Sequence, residues 1–305
     1  VDNDTATIHF ILLGFPTRPA FQLFLFFVFL AAYLLTLLEN ALIILAIRSD
    51  GQLHKPMYFF LSNLSFLEMW YVTVISPKML VDFLSHDKTI SFNGCMTQLY
   101  FFVTFVCTEY ILLAVMAFDR HVAICNPLRY PVIMTNQLAT CVQLVLASSC
   151  CGFLISVVVN VLVFSVPFCA SNRINHFFCD IFPVIKLGCT DTNVKEMVIF
   201  FLSILVLLVP LVLIFISYVF IVSTILKIAS AEGQRKAFAT CASHLTVVIV
   251  HYGCASFIYL RPTSLYSSEK DRLVAVTYTV ITPLLNPLVY TLRNKEVKTA
   301  LSKVL

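Results

Sequence analysis

Among the side chains of this sequence, two carboxylates have surroundings that most strongly suggest a functional role. Glu68 and Glu109 each lie in a long apolar stretch with few other charges. A charge at membrane depth is unfavourable and usually faces a partner or a wet cavity. One hypothesis is a sodium ion between the two carboxylates, helped by Asn286 and Asn40. The alternative is that one carboxyl is protonated and hydrogen-bonded, because two like charges placed close together disfavour full ionisation.

The cysteines are the second group of reactive side chains. Of eleven Cys, most fall inside apolar stretches, where they act as small apolar residues. Cys95, Cys169, Cys179 and Cys189 lie outside or at the edge of these stretches. An even set in an oxidising compartment indicates two disulfides, but spacing alone does not choose among three pairings. The ten-residue spacing of the last three also allows a metal site, although metal-binding Cys normally form tighter pairs.

Enzymatic chemistry is not indicated by the sequence. It has no nucleophile–base set, no glycine-rich phosphate loop and no histidine-based metal motif, and its 7 His are dispersed. An ion-coupled membrane transporter is the alternative to a signalling receptor, since intramembrane carboxylates also mark ion pathways. Transporters typically show internal repeats. This sequence shows no such repeat, and its seven predicted membrane-spanning segments do not divide into equal halves. The receptor interpretation is preferred.

The elements that must position these side chains are membrane-spanning helices. Hydrophobic residues make up 60% of the chain and charged residues only 12%, whereas soluble domains carry about 25% charged residues. A spanning helix needs roughly 20 mostly apolar residues. The sequence therefore predicts an all-α integral membrane protein, a single seven-transmembrane helix bundle over residues 1–305. The predicted spans are about 21–47, 57–81, 96–121, 138–167, 197–227, 237–261 and 273–292.

The two ends of the chain indicate how the bundle sits in the membrane. A slight excess of Lys and Arg on the side of the C-terminus favours an extracellular N-terminus. Asn3 begins an N-x-T glycosylation acceptor, which agrees. Basic residues alternate with apolar ones over about 293–303, which predicts a short amphipathic helix on the membrane surface.

Five segments carry a resemblance to one family. Together they resemble the signature motifs of vertebrate odorant receptors of the tetrapod type, within the rhodopsin-like G-protein-coupled receptors, over nearly the whole chain. The segments are LHKPMYFFLSNLSFLE (53–68), MAFDRHVAIC (116–125), Ser217-Tyr218, KAFATCASHL (236–245) and PLLNPLVYTLRN (283–294).

The resemblance implies two disulfide pairings and an activation switch. It pairs Cys95 with Cys179 and Cys169 with Cys189. Arg120 corresponds to the switch arginine, paired with Asp119 at rest and released to contact a heterotrimeric G protein of the olfactory stimulatory kind, which raises cyclic AMP. The remaining switch residues by this resemblance are Tyr218, Lys236, His244, Tyr252, Asn286, Pro287 and Tyr290.

A ligand pocket is expected in the outer half of the bundle. Helical spacing places four residues of the third helix on one face, and the resemblance adds others from helices five to seven. Ordinary helix packing is the alternative for each. The expected lining is Phe102, Val103, Val106, Cys107, Leu202, Ser203, Val206, Ala255, Ser256, Tyr259, Val276 and Thr279.

This mostly apolar lining favours a small, neutral, volatile molecule with one hydrogen-bonding group, and Tyr259 is the predicted polar anchor. Besides this odorant and the G protein, only membrane lipid is expected as a partner, and no nucleic acid. The expected location is the plasma membrane.

Overall fold

The computed structural model describes residues 9–16, 18–128, 130, 137–169, 171–261, 268–293 and 295–304, and for a few of these only the backbone. Seven helical stretches within these ranges are long and apolar enough to cross a membrane. The first six are α1 (Pro19–Ser49), α2 (Pro56–Leu84), α3 (Phe92–Cys125), α4 (Gln137–Phe164), α5 (Asn193–Ile225) and α6 (Ala231–Tyr259). The seventh, α7, has three consecutive segments, Ser268–Val276, a π-helical Thr277–Ile281 and Thr282–Arg293.

Local sequence signals explain where several helices begin. Pro19 and Pro56 occupy the first turns of α1 and α2, where the missing N–H is not needed. Ser91 caps α3 by accepting a hydrogen bond from the Gly94 N–H at 3.0 Å. The helix therefore starts at Phe92, four residues before the predicted span.

Large apolar side chains on the outside of the bundle identify lipid as its solvent. Phe27 of α1 and Phe215 of α5 are 60% and 68% exposed. A soluble protein rarely exposes such patches over so wide a surface. The chain is therefore a multi-pass membrane protein.

A small β-sheet, which the sequence did not predict, lies at the end of the bundle where the chain begins. It contains β1 (His9–Leu12), β2 (Thr89–Ser91) and β3 (Arg173–Ile174), in the order β2-β1-β3. The β1–β2 pair is antiparallel and the β1–β3 pair is parallel. Phe10 and Leu12 of β1 are completely buried, so the N-terminal segment packs into the loops at this end of the bundle, which we call the outer end.

Two disulfides tie the outer loops together. Cys95 at the start of α3 bonds Cys179, with Cα atoms 5.5 Å apart, and Cys169 bonds Cys189, with Cα atoms 5.8 Å apart. These are the pairs that the resemblance implied. The first places the segment after Cys179, including a short loop helix (Ile181–Ile185), against the outer part of α3.

At the opposite, inner end a short helix, α8 (Lys295–Val304), follows α7. Lys303 Nζ lies 2.8 Å from Asp50 Oδ2 after α1, and Glu296 accepts hydrogen bonds from Lys55 and Tyr58. The predicted helix is present here. Because Val297 and Ala300 are buried, part of its apolar face packs on protein rather than lipid.

Candidate ligand cavity and helix-switch contacts

A cavity lies in the outer half of the bundle between α3, α4 and α5. It holds about 490 Å³ of empty space, including the part that opens outward. Eight of the twelve predicted lining residues surround it. They are Phe102, Val103, Val106, Cys107, Leu202, Ser203, Val206 and Tyr259.

The other four predicted residues do not line this cavity. They belong to the outer parts of α6 and α7: Ala255, Ser256, Val276 and Thr279. The π-helical segment changes the phase of α7, so Thr279 is buried and donates to its own backbone at Ala275. On this side α7 presents Tyr278, whose ring centroid is 6.3 Å from that of Phe102. A large aromatic ring thus stands where smaller side chains were expected.

Sequence reasoning missed the contributions of α4 and of the long outer loop. Ile155 and Val159 of α4 and Ile181 of the loop helix line the cavity. α4 carries no charge or motif that marks one of its faces. Ile181 comes close only because the Cys95–Cys179 disulfide fixes the preceding residues to α3. The remaining lining residues that were missed are Tyr110, Ile199 and Leu207.

Three lining residues carry hydroxyl groups, Tyr110, Ser203 and Tyr259, and protein acceptors occupy the hydrogens of the last two. Ser203 Oγ donates to the Ile199 carbonyl at 2.9 Å, one turn earlier on α5. Tyr259 donates to Asp180 Oδ1 at 2.8 Å. Each hydroxyl oxygen therefore keeps lone pairs that can accept a hydrogen bond from a ligand.

Asp180, which sequence reasoning did not single out, is a buried acid beside the cavity. Its Oδ1 also accepts from the Ile181 N–H at 2.7 Å, capping the loop helix. Burial raises the pKa of Asp180 to about 6, although the hydrogen bonds from Tyr259 and Ile181 oppose the rise.

The N-terminal segment closes over this region. Gly14, in the left-handed conformation with φ of 58°, turns the chain so that its carbonyl accepts from Arg272 of α7 at 2.7 Å. Arg272 also donates to Asn175 Oδ1 at 3.1 Å. Nearby His176 is buried, and this burial, together with the charge of Arg272, lowers its pKa to about 3.

Toward the middle of the membrane, α3 and α6 are joined by a ladder of polar contacts. Tyr252 donates to the Tyr110 carbonyl at 2.9 Å, and His251 Nδ1 lies 3.3 Å from Glu109 Oε1. One to two turns further inward, His244 Nε2 lies 3.1 Å from the Leu113 carbonyl. We call these three contacts the α3–α6 latch.

The hydrogen bonds of His244 determine which of its two ring nitrogens carries the proton. A carbonyl can only accept, so Nε2 carries the proton that is given to Leu113. Nδ1 then accepts from the Tyr218 hydroxyl at 2.9 Å. Tyr218 of α5 is thus bonded to α6 in this arrangement.

The Asp-Arg pair lies at the inner end of α3. Asp119 Oδ1 accepts from the Tyr130 hydroxyl at 3.0 Å. Arg120 is buried and is a hydrogen-bond partner of Cys241 on α6, a contact that sequence reasoning did not anticipate. The inner end of α6 is therefore joined to α3 through Arg120, the residue predicted to act as the switch arginine.

The two intramembrane carboxylates lie at the centre of a buried polar group. Asn286 of α7 donates to Glu68 Oε1, and its amide nitrogen is 3.0 Å from His251 Nε2. His251 also approaches Glu109, so the two carboxylates belong to one polar group. Among the described residues, Asn40 Oδ1 has no hydrogen-bond partner, and Glu109 Oε1 has only its 3.3 Å contact with His251 Nδ1.

These two oxygens have the hard-donor chemistry that sodium would use. Among the described residues, no group of three or more His, Cys, Asp or Glu side chains has a metal-binding arrangement. The sodium hypothesis therefore depends on amide oxygens as well as on the two carboxylates.

Three predicted site residues lie wholly or partly outside the described part of the chain. Asn3 lies outside the described residues, and the side chains of Lys236 and Tyr290 lie outside them as well. Pro287 lies within the last segment of α7, next to Asn286.

Comparisons with known proteins agree with this architecture. The family model described as olfactory receptor matches residues 29–305. The human olfactory receptor 6Y1 is 65% identical, over 100% of this chain and 93% of its own length, and the human olfactory receptor 10T2 is 59% identical, over 100% and 96%. The mouse olfactory receptor 6B9 is 53% identical, over 100% and 96%. The chain therefore belongs to the olfactory receptor family, whose members are receptors and not enzymes.

Proposed function

We propose that this receptor binds a small neutral odorant in the outer cavity and activates a stimulatory G protein, which raises cyclic AMP. The observation that carries the ligand class is the cavity wall, in which no described lining residue is a Lys, Arg, His, Asp or Glu. An ionised ligand would lose its hydration there without gaining a counter-charge.

The hydrogen bonds of Tyr259 and Ser203 favour ligands that donate a hydrogen bond. Tyr259 gives its hydrogen to Asp180 and Ser203 gives its hydrogen to Ile199. Both side chains then offer acceptors to the cavity. An alcohol can donate to either oxygen, whereas a ketone or an ether of similar size has no hydrogen to give to these two side chains.

The route from cavity to G protein begins at Tyr110. This residue lines the cavity, its ring centroid is 4.7 Å from that of Tyr252, and its carbonyl accepts the first hydrogen bond of the latch. An odorant that shifts Tyr110 weakens the Tyr252 contact. α6 then leaves α3, which releases Arg120 for the G protein, provided that the odorant binds the open arrangement more tightly than the closed one.

The expected location is the plasma membrane, with the N-terminus outside and glycosylated at Asn3. Both disulfides lie at the end of the bundle where the chain begins, and disulfides persist on the oxidising side of a membrane. Removal of N-glycans should increase the electrophoretic mobility of the wild type and leave Asn3→Gln unchanged. Equal mobility of treated and untreated wild type would argue against this acceptor.

A sodium ion between Glu68 and Glu109 remains a proposal. Asn40 Oδ1 and the two carboxylates would hold it and keep α2 close to α3. Replacing sodium by choline should then lower the thermal stability of the purified receptor, and Glu109→Gln should remove the difference. If wild-type stability is the same in both salts, the carboxylates are satisfied by Asn286 and His251 alone.

The decisive experiment is a cyclic-AMP assay in cells that express the receptor with an olfactory-type stimulatory G protein. Alcohols, methyl ethers, ketones and carboxylic acids are compared on matched carbon skeletons. Tyr259→Phe and Arg120→Ala are tested beside the wild type. Tyr33→Phe is the control, because the Tyr33 hydroxyl contacts Thr73 in α2, away from the cavity.

We expect alcohols to be the most potent class, Arg120→Ala to abolish the response, and Tyr259→Phe to reduce potency for alcohols only. Tyr33→Phe should behave as the wild type. A response confined to acids would contradict the neutral cavity, and equal potency of alcohols and ethers would contradict the role of the two hydroxyls.

A further inference from the structure

A second cavity opens at the inner end of the bundle, on the lipid-facing side of α1, α2 and α4. It contains about 1350 Å³ of empty space, including the part that opens to the surroundings. Its walls come from the end of α1, the start of α2 and the loop between them, with Cys141 from α4. It shares no lining residue with the outer cavity or the latch.

Cationic side chains line the rim of this cavity. These are Arg48 in the last turn of α1 and Lys55 directly before α2, and His54 also lines the rim. All three are exposed. Since these residues lie where two spanning helices end, they are at the depth of lipid headgroups. Basic pockets between helices at this depth attract anionic headgroups.

Nearby carboxylates do not cancel this positive charge. Asp50 is already paired with Lys303 at 2.8 Å. Glu296 lies 2.9 Å from Lys55, but both side chains are more than half exposed, so that pair is weak and leaves Lys55 hydrogens for another acceptor. Among the described residues, no carboxylate forms an ion pair with Arg48.

Below the rim the cavity is mostly apolar, with Ser62 and Asn63 as its polar residues. Ile44 and Ile47 of α1 face Phe59 and Phe66 of α2, and Phe66 is half exposed to the bilayer. A cationic rim above an apolar wall complements a molecule with an anionic head and a hydrocarbon tail. A soluble phosphate would not use the wall, and a sterol would not use the cations.

We propose that this cavity binds an anionic glycerophospholipid, with its phosphate at Arg48 and Lys55 and one acyl chain along the apolar wall. Such a lipid would join the ends of α1 and α2 beside α8. The site depends on the membrane-spanning fold and on neither the odorant nor the signalling mechanism. The lipid proposal can therefore be confirmed or contradicted independently of the proposed function.

The test uses the full receptor in nanodiscs of phosphatidylcholine with a minor fraction of phosphatidylserine in both leaflets, so that the result does not depend on orientation. Native mass spectrometry counts the lipids retained by the receptor. Separate arms add cholesterol or soluble phosphoserine. Arg48→Gln/Lys55→Gln removes the rim charges, and Lys227→Gln/Arg235→Gln removes two exposed charges elsewhere at the inner end. Ile44→Trp fills the apolar wall.

We expect the wild type to retain phosphatidylserine above its bulk fraction. Loss of two interfacial cations should weaken retention by about thirtyfold, and Ile44→Trp should also reduce it. The control pair should retain the lipid as the wild type does. Retention of phosphatidylserine at its bulk fraction, preference for cholesterol, or equal binding of soluble phosphoserine would each overturn the proposal.

Discussion

The outer cavity and the α3–α6 latch occupy successive turns of the same helix and differ in what holds them. The cavity is lined by apolar side chains and three hydroxyl-bearing residues, so dispersion and area burial dominate there. The latch consists of buried polar groups joined in specific directions, where loss of one partner leaves the other unsatisfied. Cavity residues are thus suited to selecting a ligand, and latch residues to separating two states.

The largest expected effect comes from removing Arg120, which lies at the inner end of α3, beyond the latch. Arg120→Ala should abolish cyclic-AMP signalling and leave odorant binding intact, because Arg120 lies far inward of the cavity and contacts Cys241. Binding is measured with labelled odorant on purified receptor. Arg235→Ala, which changes an exposed arginine of α6, is the control. Loss of odorant binding in Arg120→Ala would show that the two regions are not separable.

The complementary change fills the cavity and spares the latch. Val106→Trp should reduce odorant potency by about thirtyfold. The odorant would have to pack beside the larger side chain, and overpacking typically costs about 1–3 kcal/mol. Basal signalling should stay at the wild-type level. Val142→Trp on the lipid-exposed side of α4 is the matched control. Unchanged potency in Val106→Trp would mean that the odorant binds elsewhere.

A smaller effect is expected from loosening the latch by one hydrogen bond. Tyr252→Phe removes the donor to the Tyr110 carbonyl, a net loss of about 1 kcal/mol, which shifts a two-state equilibrium about fivefold. Basal cyclic AMP should rise accordingly, while Tyr33→Phe leaves it unchanged. A fall in basal signalling would instead indicate that Tyr252 stabilises the active arrangement.

The buried acid at the cavity edge predicts a dependence of stability on pH. The folded-state pKa of Asp180 is about 6 and its ordinary value 3.8, so the folded state binds this proton more tightly. Stability is therefore lost as pH rises from about 4 to above 6, by roughly 3 kcal/mol in all. Measured from pH 4.5 to 7.5, Asp180→Asn should gain thermal stability relative to the wild type as pH rises.

His176 acts in the opposite direction, which is why the comparison must be between two variants. Its pKa is lowered to about 3, so stability is lost as pH falls below about 6.5. This contribution is common to the wild type and Asp180→Asn and cancels in their difference. A difference that does not change with pH would contradict the burial of Asp180 as an ionisable group.

The smallest effect is expected at the inner surface. Lys303→Gln removes an exposed partner of Asp50, and exposed ion pairs contribute little to stability. Its thermal midpoint should match that of Lys298→Gln, another exposed lysine of α8. A clear loss specific to Lys303→Gln would mean that α8 stabilises the bundle through charge rather than through Val297 and Ala300.

The sequence predicts the helices well because hydropathy depends on composition over short windows. It predicts less of the site, because contacts between helices depend on rotation and depth. Asp180 and Tyr259 are 79 residues apart, and nothing local in either segment indicates the other. His251 lies in an apolar run, and its contact with Glu109 follows only from how α6 faces α3. The outer sheet was missed because its strands have only 2 to 4 residues.

The most direct test of coupling between the two regions is hydrogen exchange in purified receptor in nanodiscs, with and without a saturating concentration of the most potent alcohol. The account predicts slower exchange around the outer cavity and faster exchange in the inner half of α6, residues 231–244, and neither change in Val106→Trp. Protection at the cavity with unchanged exchange in the inner half of α6 would contradict the proposed coupling through Tyr110 and Tyr252.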